Sequence, residues 1–146
     1  MFQSAGIKVE ERLFFPLILE GCAVYFSKLS TGAEIEDCMQ MGLPAYLNLF
    51  DRKNFKSKCD KTFESSAKLL YENLNRPVSE KTYKKLFGAK IDDGDEPARI
   101  GYFIGFKVIE GAAAETSLEK IAAMTKKEMI SLCKTQLKKL LMPAKR

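Results

Sequence analysis

From Leu13 to Ser27 the chain reads LFFPLILEGCAVYFS, and Glu20 is its only charged residue. Within this run Leu13, Leu17, Glu20 and Val24 fall at i, i+4, i+7 and i+11, the spacing of one helical face. The pattern predicts a first helix from Glu10 to Leu29, or a later start if Pro16 occupies the first turn, where proline is tolerated. Ser30-Thr31-Gly32 is its stop signal. A carboxylate on so apolar a face is costly to desolvate unless it is paired, protonated or bound to a cation. Arg99 and Lys107 are the candidate pairing partners, and the expected state is an unpaired, protonated acid.

The same periodicity extends along the chain. A short helix is predicted over Ala33 to Met41, ended by Gly42-Leu43-Pro44, and a long one over Ala45 to Asn73. The core candidates of the long helix region are Leu47, Phe50, Phe55, Phe63, Leu70 and Leu74, and its basic run from Arg52 to Lys61 is a solvent face. Asn75-Arg76-Pro77 closes it, Ser79 caps a helix through Phe87, and Gly88 ends that helix. The acidic Asp92-to-Glu96 turn lacks the alternating ligand spacing of a calcium loop and precedes Pro97, expected at the first position of the next helix. From Ala98, Gly101, Gly105, Val108 and Ala112 form one narrow stripe, and Tyr102, Phe106, Ile109 and Ala113 the bulkier stripe beside it. Interior glycines cost about 1 kcal/mol each relative to alanine, so a neighbouring helix or a substrate is expected to approach that backbone closely. Two further helices follow, Ser117 to Met124 and Thr125 to Leu141, the second with a Thr125–Glu128 capping box. No stretch reads more strongly as strand than as helix. The expected fold is all-α, a single-domain helical bundle over residues 1–146, with 126–146 as its basic C-terminal helix and tail.

Composition adds three constraints. At 146 residues with 46% hydrophobic content the chain can bury a core without staples. The net charge of +5 is uneven: residues 1–73 carry nine basic and ten acidic groups, residues 74–146 fifteen and nine. A solvated helix face accounts for the basic end; the alternative is a helical binding module that engages an acidic protein, or nucleic acid, through this half. The four cysteines are far apart, which suits scattered buried thiols in a reducing compartment rather than a metal cluster. The apolar run is shorter than the roughly 20 residues of a membrane span and lacks the flanks of a signal peptide, so a cytoplasmic location is expected.

Histidine is absent. That excludes Ser/His/Asp and Cys/His catalysis and a helical H-E-x-x-H zinc site within the chain. There is no GxxxxGK[ST] phosphate loop, and the GxxxG at Gly101 and Gly105 lacks the preceding strand of a dinucleotide fingerprint. A carboxylate pair such as Glu20 with Glu110 is the remaining acid–base option.

Two stretches carry a resemblance. Leu19-Glu20-Gly21-Cys22-Ala23-Val24-Tyr25-Phe26 resembles an E-G-x-A-x-Y/F segment, and the run from Pro97 to Glu110, PARIGYFIGFKVIE, is similar to a P-x-R-I-G-Y-x-I-G-Y/F-K-I-V-x signature. The segment and the signature they resemble are those of an uncharacterised bacterial-type family of zinc-dependent proteases of the gluzincin type, related to gliding-motility lipoprotein B. The order of Ser117 to Ile121 and then Met124 to Ile130 also resembles that family's closing helices. The resemblance implies that Glu20 stands at the third zinc-ligand position and that Tyr102 and Arg99 face substrate. The family's H-E-x-x-H helix has no counterpart here, so two metal ligands and the general base are missing. The resemblance therefore implies the C-terminal, mostly helical half of such a protease, with no catalytic residue of its own. Zinc is expected only if a separate chain brings the H-E-x-x-H half; that chain, or self-association, is the implied partnership, ahead of nucleic acid.

Overall fold

The computed structural model describes residues 3–4, 7–8, 12–40, 54–88, 97 and 99–142. Within them seven helices share one hydrophobic core: α1 (Phe14–Thr31), α2 (Ile35–Gln40), α3 (Phe55–Asn73), α4 (Glu80–Phe87), α5 (Ile100–Ala113), α6 (Leu118–Ala122) and α7 (Lys126–Leu141). A minimal antiparallel pairing precedes them, β1 (Gln3–Ser4) with β2 (Ile7–Lys8), Gln3 opposite Lys8 and Ser4 opposite Ile7. The all-α expectation holds apart from this pair, which is too short for alternation to announce it.

α1 begins at Phe14 with Pro16 inside its first turn, so the helix starts later than Glu10. No side chain caps this end; instead the Phe14 N–H donates to the Leu74 carbonyl at 3.1 Å, and the Arg12 Nη1 donates to the Asn75 side chain at 3.0 Å. The entry to α1 is thus stitched to the exit of α3, which supplies an acceptor for an otherwise orphaned N–H. At the other end Gly32 takes the left-handed conformation (φ 66°) and returns its N–H to Lys28.

α5 is the central element. Its buried residues include Ile100, Gly101, Ile104, Gly105, Val108, Ile109 and Ala112, and α1, α2, α3, α4 and α7 all pack against it. The glycines admit two different neighbours. Gly105 lies against Leu17 and Gly21 of α1, while Gly101 lies under the Phe87 ring and the Leu86 carbonyl at the end of α4. This close approach offsets the helix-interior cost of both glycines. α7 carries the expected capping box: Glu128 N–H donates to the Thr125 hydroxyl, and Thr125 N–H to the Glu128 carboxylate at 2.6 Å. Ser79 and Ser117 cap α4 and α6 by the one-way bond alone, their hydroxyls accepting from the Thr82 and Lys120 N–H groups.

Two boundaries differ from the sequence expectation. The long helix begins at Phe55, after a turn at Asn54, rather than at Ala45; residues 45–53 lie outside the described ones. α5 begins at Ile100 rather than at Pro97, because Arg99 adopts a left-handed conformation (φ 57°) that interrupts the helical path from Pro97. Leu47, Phe50, the Asp92-to-Glu96 turn and the end of the basic tail also lie outside the described residues. Phe55, Leu70 and Leu74 are buried as expected, and Phe63 is half-buried. Cys38, Cys59 and Cys133 are buried and Cys22 is half-buried. Among the described residues no helix is long and apolar enough to cross a membrane.

Candidate functional site

Glu20, Arg99 and Tyr102 come together where α1, α4 and the start of α5 meet. Glu20 lies at the edge of the buried face of α1 and is half-exposed, whereas Leu13, Leu17 and Val24 are fully or almost fully buried. Burial of Gly21 against Gly105 turns the centre of the packed face away from Glu20, which lies roughly 100° round the helix from Gly21. The apolar neighbours of Glu20 in sequence therefore overstate its desolvation.

The Tyr102 hydroxyl lies within electrostatic reach of the Glu20 carboxylate. Burial pushes the Tyr102 phenol above its ordinary pKa; the Glu20 charge adds to the rise and the Arg99 charge opposes it. Tyr83 of α4 is raised for the same two leading reasons, burial and then Glu20. One carboxylate thus acts on two phenols from different helices. Phe87 lies between them, its ring centroid 5.4 Å from that of Tyr83 and 6.2 Å from that of Tyr102.

Arg99 closes the cluster from the other side. Its guanidinium carbon stands 4.7 Å from the centre of the Tyr102 ring, a cation–π arrangement, and its Nη1 donates to the Met39 carbonyl at 2.7 Å. Its Nε is buried without an acceptor. Arg99 therefore ties the end of α2 to the start of α5 and forms no ion pair with Glu20.

Three pairings that the sequence allows are not made. Arg99 stacks on the Tyr102 ring and bonds the Met39 carbonyl instead of pairing with Glu20. Lys107 bonds Glu110 at 3.4 Å and lies near the Phe103 and Phe106 rings, so it is not the partner of Glu20. Glu110 is exposed, engaged by Lys107 and about 12 Å farther along α5 than Tyr102, so it does not form an acid–base pair with Glu20. Tyr83 and Phe87 were not picked out from sequence. The Ser79 cap fixes the phase of α4, which places Tyr83, Leu86 and Phe87 at i, i+3 and i+4 on the buried face, and that was the available signal.

Among the described residues no group of three His, Cys, Asp or Glu side chains is placed to hold a metal ion. One carboxylate flanked by two phenols does not fit zinc, which takes three or four nitrogen, sulfur or carboxylate donors. The thiols do not help. Burial raises the Cys22 thiol, and burial pushes the Cys133 thiol up to about 12, with Cys22 adding to the rise. Open volume lies on a different face of α5. Two adjoining hollows of about 390 and 550 Å³ share Asp60, Phe103, Lys107 and Glu110, and neither is lined by Glu20, Arg99 or Tyr102. No family model, curated protein or solved structure matches the chain.

Proposed function

We propose that this chain is a zinc-protease-like helical domain that is non-catalytic by itself, with Glu20, Arg99 and Tyr102 the remnant of a metal and substrate site. One observation carries it. The two segments that bear the resemblance pack directly on one another, Gly21 of the first against Gly105 of the second, and so gather the three residues that the resemblance assigns to a site. The Glu20 carboxylate lies within electrostatic reach of Tyr102, and the chain has no histidine to supply the remaining ligands of a metal. Any zinc chemistry would need those donors from a separate chain. Calorimetric titration of the purified chain with zinc should give no stoichiometric uptake at micromolar concentration. Tight one-to-one uptake with peptide cleavage would overturn the proposal.

A second reading, a binding module for an acidic protein or nucleic acid, has its own support in α7. Lys127, Lys134 and Lys138 are exposed at i, i+7 and i+11, on one face, with no ion pair to any described residue. Lys126 lies near the Phe14 ring and Lys139 pairs with Glu115, so these two are engaged within the fold. Retention on a polyanion column at about 50 mM salt, lost steeply as salt rises, is the expected behaviour of that module. Passage without retention at the lower salt would end it.

A further inference from the structure

We infer that the outer face of α1 is a self-association surface whose occupant is the α1 of a second copy of this chain. This inference rests on the exposed side of α1 alone and is independent of the zinc-protease-like reading. Phe15, Leu19, Phe26 and Leu29 are 43%, 54%, 48% and 66% exposed, the large apolar side chains most open to water on this helix. With half-buried Cys22 they fall at steps of four, three, four and three residues. That is the strict a/d spacing of a coiled-coil seam, narrower than the face by which a helix covers a core. α1 already has such a core face in Leu17, Gly21 and Val24, and its second stripe stands open to water beside the described residues.

The stripe is suited to another helix in particular. Its period of 3.5 residues keeps the five side chains in line along a partner helix crossing at about 20°. The positions flanking the seam are Pro16, Ile18, Ala23, Tyr25 and Ser30, none of them charged. Charged flanks are what let a seam choose a different partner or reject its own copy, and neither device is present here. Glu20 and Lys28, the charged residues of the helix, lie off the seam.

The area sets the strength. Half of a phenylalanine is on the order of 100 Å² and half of a leucine somewhat less, which gives roughly 400 Å² of apolar side chain per copy. A symmetric pair would bury about 800 Å² from the seam, and near 1,000 Å² with the flanking residues, at the low end for a specific interface. The expected assembly is therefore a weak, concentration-dependent dimer with micromolar dissociation.

Sedimentation velocity of the full chain over roughly 5–500 µM should show a monomer–dimer equilibrium. The double variant Leu19→Glu/Phe26→Glu should weaken it at least tenfold while retaining the wild-type far-ultraviolet circular dichroism, since both side chains stand half in water. Leu19→Ala/Phe26→Ala, which adds no charge, should weaken it in the same direction. A wild type that stays monomeric throughout, or a dimer indifferent to both variants, overturns the inference. So does a monomer that floats with vesicles of phosphatidylglycerol and phosphatidylcholine through this stripe, which would make the occupant a membrane surface.

Discussion

Gly21 and Gly105 face each other across the α1–α5 crossing with no room for a side chain on either. A Cβ added to Gly21 would stand 2.5 Å from the carbonyl carbon of Gly105, and one added to Gly105 would stand 2.5 Å from the carbonyl oxygen of Leu17. Both obstacles are backbone, so a methyl group can be accommodated only by moving one helix off the other.

Gly21→Ala should therefore destabilise the fold by about 3 kcal/mol, the upper range for an overpacked contact, despite the gain in helix propensity. Gly111, in the partner helix α5, provides the control. A Cβ there meets only the Oε1 and Cδ of Gln136, the far end of a flexible side chain, and Gly111→Ala should change stability by less than about 1 kcal/mol. Urea unfolding of the two variants measures both; equal effects would mean that the helices do not cross at Gly21 and Gly105.

Arg99 combines a left-handed backbone with a side chain that holds the Met39 carbonyl. Replacing it by alanine loses the bond and keeps the backbone strain, whereas glycine loses the bond and relieves the strain. Arg99→Gly should be more stable than Arg99→Ala by about 1 kcal/mol, the cost of a left-handed residue that bears a Cβ. Both should speed amide exchange in α2. If alanine is the better replacement, the left-handed geometry at Arg99 is refuted.

Residues with a local cause were legible in the sequence. Ser79, Ser117 and Thr125 name their helix starts because capping is a short-range hydrogen bond, and Gly32 names an end because only glycine takes its conformation cheaply. The cost of the glycines at 101 and 105 likewise pointed to close approach, although not to two different neighbours. What depends on the crossing of distant helices was not legible. Whether Glu20 lies at the centre or the edge of the packed face of α1 is decided by where Gly105 docks. That Lys107 turns to Glu110 is decided by a neighbour on its own helix that competes with any distant acid. Arg99 was picked out by resemblance, but its left-handed backbone, and hence the true start of α5, has no sequence signal in a non-glycine residue.

The capping box of α7 gives a test on the acid side. Hydrogen bonds from the Thr125 backbone and then its hydroxyl hold the Glu128 carboxyl below its usual range. A depressed carboxylate contributes stability above its unfolded pKa and loses it as pH falls through the lower folded value. Glu128→Gln should therefore flatten the loss of stability below the ordinary carboxylate range, while Thr125→Ala should cost about 1 kcal/mol at neutral pH. Guanidinium melts from neutral to acidic pH would show both; an acid limb unchanged in Glu128→Gln would show that the reciprocal bond is not made.

The relation of Glu20 to Tyr102 yields the most direct test of the candidate site. Glu20 is half-exposed and its charge reaches the Tyr102 phenol, so Glu20→Gln keeps the shape of the side chain and removes only that charge. No buried cation is stranded, and the change should cost less than about 1 kcal/mol, not the 3–5 kcal/mol of a broken buried ion pair. The phenol should report the lost charge. Burial is the larger cause of the raised Tyr102 pKa and remains; the Glu20 contribution disappears, so Tyr102 should ionise at lower pH in the variant than in wild type, yet still above an ordinary tyrosine. Tyr83 should move in the same direction, as Glu20 is its second cause as well. For a group whose folded pKa is raised, its stability contribution is complete below the unfolded value and is lost as pH climbs through the folded one. The alkaline loss attributable to Tyr102, taken as the difference between each protein and its Tyr102→Phe counterpart, should then be smaller in the Glu20→Gln background. Titration of the tyrosine Cζ signals by carbon-detected NMR follows both phenols at once. Two curves that do not shift on Glu20→Gln would place the carboxylate away from Tyr83 and Tyr102 and remove the candidate site.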